Sequence, residues 1–277
     1  MIGVIGGSGV YQLDGAAGTW QAVRTPWGEP SDELFVGTLD GVPVAFLPRH
    51  GRGHRSSPTD VDFRANIAAL KQVGVTDVIS LSAVGSLRED LAPGTFVLVD
   101  QFVDRTFARE KSFFGAGLVA HVSVAEPVCA RIGDALAATA GELGLSLVRG
   151  GTYLTMEGPQ FSTKAESELY RSWGMSVIGM TNMPEAKLAR EAELCYATVA
   201  MVTDYDCWHP DHASVTVSQV VAVARRIVGA TIPKLAGRPV PCPRGCDRAL
   251  DGAIMTAPTA RDAAVVARLS SVAGRVL

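Results

Sequence analysis

Short β-branched and apolar runs alternate along the chain with stretches in which apolar positions recur every three or four residues. Such alternation predicts helices packed on a central sheet, an α/β fold. The first apolar run, Ile2–Ile5, leads straight into Gly6-Gly7-Ser8-Gly9. The runs around Trp20–Thr25, Leu34–Leu39 and Val42–Leu47 are bounded by turn residues and read as antiparallel strands. Asp40-Gly41 is the expected tight turn between the last two, because Asp-Gly readily supplies positive φ. Beyond Pro58, the spacing of Val61, Ala65, Ala68, Ala69 and Val73 predicts one face of a helix. Thr76–Leu81 and Phe96–Val99 read as buried strands. Pro127–Leu143 has helical spacing and stops at Gly144; Leu145–Val148 and Tyr153–Met156 are strand-like. A helix over Lys164–Trp173 and a strand over Val177–Met180 follow. Pro184–Leu194, with proline in its first turn, predicts a helix, Tyr196–Thr203 a buried strand, and Thr216–Leu235 a long helix. A stretch rich in Pro, Gly and Cys, Gly237–Cys246, precedes a last helix over about Thr259–Val272.

Composition narrows the class. With 47% apolar and only 19% charged residues, the 277-residue chain buries too much apolar surface to be disordered. No linker forces a division into two domains. A net charge of −3 with no run of Lys or Arg argues against a nucleic-acid partner. The apolar runs fall short of the roughly 20 residues that span a bilayer, and the first residues carry no basic segment or cleavage site, so a cytoplasmic protein without a membrane partner is expected. The five cysteines, an odd number scattered at 129, 195, 207, 242 and 246, suit reduced thiols better than a disulfide framework.

Four segments carry candidate chemistry. Closely spaced glycines at the end of the first strand expose backbone N–H groups that can bind an anion, and Ser8 adds a hydroxyl. The dinucleotide fingerprint is absent, since Gln12 stands where it needs glycine, and a tight turn alone is an equal reading. In Arg49-His50-Gly51-Arg52-Gly53-His54 the arginine fork and the imidazoles suit a dianion; the alternative is a solvated basic loop. Two histidines without a nearby acidic or thiol ligand do not define a metal site there. Ser82-Ala83-Val84-Gly85-Ser86 reads as a turn at the carboxyl end of a buried strand, where open α/β sheets bind ligands. Asp204 and Asp206 stand at i and i+2, so both point the same way in extended chain and mutual repulsion can retain a proton; the alternative is a solvated turn or a helix cap.

These segments, with Asn66, Gly85-Ser86-Leu87-Arg88, Asp100 to Thr106, Glu157-Gly158-Pro159, Met180-Thr181, Pro184-Glu185 and Asp204-Tyr205-Asp206-Cys207-Trp208, occur in order from about Gly3 to about Val221. In them the chain resembles the trimeric purine nucleoside phosphorylase family, in its branch acting on methylthioadenosine. The resemblance implies a single domain over residues 1–277 with a twisted, mixed and partly barrel-like central sheet flanked by helices, and a divergent C-terminal segment from 237 to 277. It implies phosphorolysis of methylthioadenosine to adenine and 5-methylthioribose 1-phosphate, with inorganic phosphate as co-substrate and no cofactor. Phosphate would be held by Ser8, Arg49, His50, Ser82, Ala83 and Thr181, with serine at 8 and 82 where the family often has threonine. Asp204, with Asp206, would assist the leaving purine at N7 and select adenine. Phe161, Met180, Val217 and Val220 would form an apolar pocket for the 5' group, with His54 near its rim, although ordinary helix core is the plainer reading of each valine. His121 would reach a neighbouring subunit's site in a homotrimer or a dimer of trimers. Methylthioinosine or general purine nucleoside phosphorolysis, a hydrolytic nucleosidase and a non-catalytic nucleoside-binding protein are the alternatives. Cys242 and Cys246 form a CxxxC pair past the matched region; two ligands do not make a zinc site, so a thiol loop and no metal are expected.

Overall fold

The computed structural model describes residues 1–7, 13–210, 214–237 and 239–277. Strand β1 (Ile2–Gly6) is buried along its whole length, as a continuous apolar run requires of a central parallel strand. The exposed strand β2 (Ala17–Gln21) pairs with β3 (Leu34–Leu39), which turns back through Asp40 and Gly41, both at positive φ, into β4 (Val42–Pro48). Helix α1 (Phe63–Gln72) is capped by the Asp62 side chain, and β5 (Asp77–Ser86), β6 (Phe96–Leu98) and β7 (Gln101–Arg105) follow. Then come α2 (Ala130–Glu142), β8 (Leu147–Arg149), β9 (Thr152–Met156), α3 (Lys164–Ser172), β10 (Val177–Gly179), α4 (Asn182–Glu191), β11 (Cys195–Tyr205), α5 (Val217–Leu235) and α6 (Ala263–Ala273).

The strands form one mixed sheet that forks at β5. The main path runs β2-β3-β4-β1-β5-β10-β9-β7, and a branch leaves β5 through β11 to β6 and β8. The branch gives the sheet its curvature, and it does not close into a barrel. One face is covered by α2 and α5, which bury Ile132, Leu136, Ala224, Ile227 and Val228. The other is covered by α1, α4 and α6, which bury Ile67, Leu70, Leu188 and Leu269. Among the described residues no helix is long and apolar enough to cross a membrane.

Three expectations need correction. Residues 82–86 are not a turn: β5 continues through Ser86, because β11 pairs with it along that whole length and β10 adds a bond pattern at Gly85 and Ser86. Small residues that look like a turn in one dimension here pack inside a three-way strand junction. The second strand lies at Ala17–Gln21 rather than Trp20–Thr25, since Thr25 and Gly28 close a turn through paired backbone bonds of 3.2 Å. Strand β7, half-exposed, carries no apolar run and is absent from the sequence pattern. In α4, Met183 is extended (φ −119°, ψ 130°), so regular turns begin at Pro184, where the sequence places them.

Candidate active site

The carboxyl ends of β1 and β4 lie side by side, the Arg49 amide donating to the Gly6 carbonyl at 2.9 Å. This delivers Gly7, Arg49 and His50 to the floor of a cavity of about 780 Å³. Arg49 is 1% exposed. Its Nε and Nη2 donate to the Glu185 carboxylate at 2.7 and 3.2 Å, Nη2 also to Ser80 Oγ at 2.6 Å, and Nη1 to the Leu81 carbonyl at 3.1 Å. Glu185, from the first regular turn of α4, further accepts from Ser80 Oγ at 2.6 Å and from Tyr196 Oη at 2.8 Å. A buried ion pair is tolerable only when it is well hydrogen-bonded; here four of the five Arg49 N–H groups have partners among the described residues, and the second N–H of Nη1 is left over. The arginine fork is therefore turned on Glu185 rather than presented whole to the cavity.

His50 is the titratable group of this floor. Its Nδ1 lies 3.0 Å from the Ser56 carbonyl, which assigns the proton to Nδ1 and leaves Nε2 as an acceptor. Burial, and then the charge of Arg49, lower its pKa from 6.5 to about 4, so the ring is neutral at pH 7. It stacks on His54, with centroids 4.3 Å apart. Beside it, Ser82 Oγ lies 3.0 Å from Tyr153 Oη and 3.3 Å from Thr181 Oγ1, a chain of three hydroxyls. Gly179 makes room for it: a Cβ there would stand 2.0 Å from Tyr153 Oη.

Another wall of the cavity comes from the end of β11. A register shift between Val202 and Asp204 turns the strand, and Asp204 and Asp206 both line the cavity. Asp204 Oδ2 accepts from Thr203 Oγ1 at 2.7 Å. Asp206 is fixed by its amide, which donates to the Ser86 carbonyl at 3.0 Å, while its buried Oδ2 has no hydrogen-bond partner among the described residues. At Gly85 a Cβ would meet Asp204 Oδ1 at 3.3 Å and Asp206 Cβ at 3.4 Å, so a hydrogen there lets both carboxylates approach β5. Burial raises the pKa of Asp204; the Thr203 hydroxyl opposes this and the Asp206 charge adds to it. Desolvation, more than the mutual repulsion inferred from the Asp-x-Asp spacing, is thus what favours a protonated carboxyl.

Met156, Phe161, Ile178, Met180, Val215 and Val217 supply the apolar side, with Phe161 85% exposed at the mouth. The capping box of Thr216 and Gln219 starts α5 at Val217 and sets that side chain on the cavity. Of the residues the sequence singles out, Arg49, His50, His54, Ser82, Ala83, Phe161, Met180, Thr181, Asp204, Asp206 and Val217 line this one cavity. Val220 does not: it is 3% exposed and packs in the α2–α5 core, because it lies on much the same face as Val217 but about 4.5 Å further along the axis, past the rim. His121 is exposed and outside the cavity, its amide bonded to the Ala253 carbonyl. Ser8 lies outside the described residues. Sequence reasoning gave no role to Glu185 or Tyr153, whose partners Arg49 and Ser82 stand far away along the chain, nor to Thr203, whose place next to Asp204 was a local signal.

A branching mixed sheet flanked by helices, with a largely apolar cavity that gathers charged side chains at its strand ends, is the plan of an α/β enzyme acting on a small molecule. A family model described as the Phosphorylase superfamily matches residues 1–232, and the chain belongs to that family. It is similar over its whole length to a protein of Cereibacter sphaeroides named S-methyl-5'-thioadenosine phosphorylase, 62% identical and covered to 98%. The Rhodospirillum rubrum protein of the same name is also 62% identical, over 100% of this chain and 97% of its own. Among solved structures, a methylthioadenosine phosphorylase from an antarctic soil metagenomic library superposes with a TM-score of 0.91 at 43% identity, covering 98% of both chains. The Schistosoma mansoni methylthioadenosine phosphorylase in complex with tubercidin gives 0.81 at 36% identity, over 86% of this chain and 92% of that one.

Proposed function

We propose that this chain cleaves S-methyl-5'-thioadenosine with inorganic phosphate, giving adenine and 5-methylthioribose 1-phosphate. A single observation carries the reading: two half-buried carboxylates, the Arg49–His50 pair and the Ser82 and Thr181 hydroxyls line one cavity with an apolar side. Phosphate belongs on the floor, against the Gly7 turn, Ser82, Thr181 and the Nη1 edge of Arg49, with Ser8 as a further donor. Neutral His50 offers Nε2 to a P–OH or a sugar hydroxyl. The phosphate oxygen forms a bond to C1' as the C1'–N9 bond breaks, and the bonding pair leaves with the purine. Asp204, whose carboxyl pKa burial raises, carries the proton that passes to N7 and accepts from the 6-amino group; Asp206 accepts the other N–H of that amino group. The 5'-methylthio group rests on Phe161, Met180 and Val217, with His54 at the rim.

The reaction as written needs no cofactor. In the same reading the chain is one functional unit and works as a homotrimer or a dimer of trimers, with exposed His121 reaching a neighbour's cavity. Five thiols without a disulfide among the described residues fit a reducing compartment, the cytoplasm. The test is adenine release from methylthioadenosine with and without inorganic phosphate, with methylthioinosine in parallel. Phosphate-dependent release of adenine is expected; release that ignores phosphate would make the protein a hydrolase, and turnover of methylthioinosine alone would overturn the role of Asp204.

A further inference from the structure

The strand that carries Asp204 to the cavity begins at Cys195, about 30 Å of extended chain away. Around that far end converge Cys129, the residue that opens α2, and Cys242 and Cys246 from the segment after α5. All four side chains are buried and their sulfurs lie within 4.8 Å of one another. Cys195 Sγ is 3.5 Å and Cys129 Sγ 3.9 Å from Cys242 Sγ. A tetrahedral zinc ion with bonds of about 2.3 Å has sulfur–sulfur edges of about 3.8 Å. A disulfide would require about 2.0 Å.

The loop is shaped for this convergence. The Gly245 amide donates to the Cys242 carbonyl at 2.8 Å, and Gly245 at φ 66° reverses the chain just before Cys246. The Asp247 carboxylate accepts from the Cys242 amide at 2.9 and 3.0 Å and holds the turn closed. Both sulfurs therefore face the start of β11 and the amino end of α2. That helix end favours negative charge on Cys129.

We propose that Cys129, Cys195, Cys242 and Cys246 are the four ligands of a buried structural site for zinc, which fastens the C-terminal segment to α2 and to the start of β11. Four thiols and one divalent ion give a tetrathiolate complex and release four protons, with no change of oxidation state. Four protein ligands leave no open position, so the ion is structural and takes no part in cleavage of the nucleoside. The CxxxC pair supplies half of the set; the other half lies 47 and 113 residues from Cys242, which is why sequence spacing reads the loop as simple thiols.

The purified full-length chain, prepared with zinc present, should carry one zinc per chain by native mass spectrometry and metal analysis. Exchange with cobalt should give the thiolate-to-metal absorption of a tetrahedral tetrathiolate site. Stripping the ion should lower the melting temperature, and zinc should restore it. Cys246→Ser should lose the cobalt spectrum while Cys207→Ser, at the exposed fifth cysteine, keeps it. If Cys246→Ser fails to fold, the cobalt spectrum of the unaltered chain still decides. A wild-type chain that takes up neither metal, masses reduced by two hydrogens per cysteine pair, or full zinc content in Cys246→Ser would each overturn the proposal.

Discussion

The floor and the β11 wall of the cavity are both built of charged groups, yet they stand in opposite states. On the floor, Arg49, Glu185, Ser80 and Tyr196 bond one another in a network that stands without a ligand and leaves over only one Nη1 N–H of Arg49. On the wall, among the described residues, Asp204 has one hydroxyl donor and Asp206 a buried oxygen without a partner. The floor is a structural device that fixes the ends of β1, β4 and α4; the wall is left unsatisfied for a substrate to complete. Groups of the first kind couple activity to stability, and groups of the second kind set activity at the expense of stability.

The largest expected effect is at the wall. Asp204→Asn should lower adenine release from methylthioadenosine by about 100- to 10,000-fold, the range for losing a general acid. It should also gain some turnover of methylthioinosine, because the amide offers a donor where the carboxyl offers an acceptor. Its melting temperature should be equal or higher, since a buried carboxyl is replaced by a neutral isostere. A large loss of stability would place Asp204 with the floor and dissolve the contrast; unchanged adenine preference would remove it from base recognition.

At the floor the expected order is reversed. Glu185→Ala leaves the 1%-exposed Arg49 guanidinium without its partner. A stranded buried charge costs about 3–5 kcal/mol. Chemical denaturation should register that loss, with activity falling alongside it. A variant that remains as stable as the parent but is inactive would make Glu185 a substrate ligand, and the floor no different from the wall.

How far each region was legible in the sequence follows the same division. The wall announces itself locally, as two acids two residues apart at the end of an apolar run. The halves of the floor, Arg49 and Glu185, stand 136 residues apart. Nothing in either neighbourhood says that the fork of one is occupied by the other. Pairing across the sheet has the same character. Ser82–Ser86 looks like a turn because serine and glycine are turn residues, and only the two neighbouring strands, β10 and β11, make the segment part of the sheet. Tyr153 and Gly179 likewise become a matched pair only when β9 lies beside β10. The strands and helices themselves were readable because their periodicities are properties of contiguous residues.

Val217 and Val220 transfer the contrast to two similar side chains on one helix. Val220 is core, so Val220→Ala should cost about 2 kcal/mol, from roughly two buried methylenes plus the space left behind. Val217 lines the cavity, so Val217→Ala should leave the melting temperature nearly unchanged and raise KM for methylthioadenosine more than for adenosine. Equal losses of stability in both variants would return Val217 to the core.

The smallest effect, and the one that joins floor to ligand, is the titration of His50. Its pKa is about 4 in the folded chain against an ordinary 6.5. Above pH 6.5 the ring is neutral in both folded and unfolded chains and its contribution is fully present. Between 6.5 and 4 the unfolded chain takes up a proton that the folded one refuses, so stability falls as the pH falls. Glu191 pulls the other way, its carboxyl raised by burial to about 7, so the difference between wild type and a His50 variant is the quantity to measure. His50→Gln, which keeps a donor for the Ser56 carbonyl, should lose less melting temperature than wild type between pH 7 and pH 5. Equal losses would mean that the ring titrates normally. Inorganic phosphate should narrow the gap, because an anion bound beside the imidazole stabilises its protonated form and offsets the charge of Arg49. A gap insensitive to phosphate would separate His50 from the anion that the floor is proposed to hold.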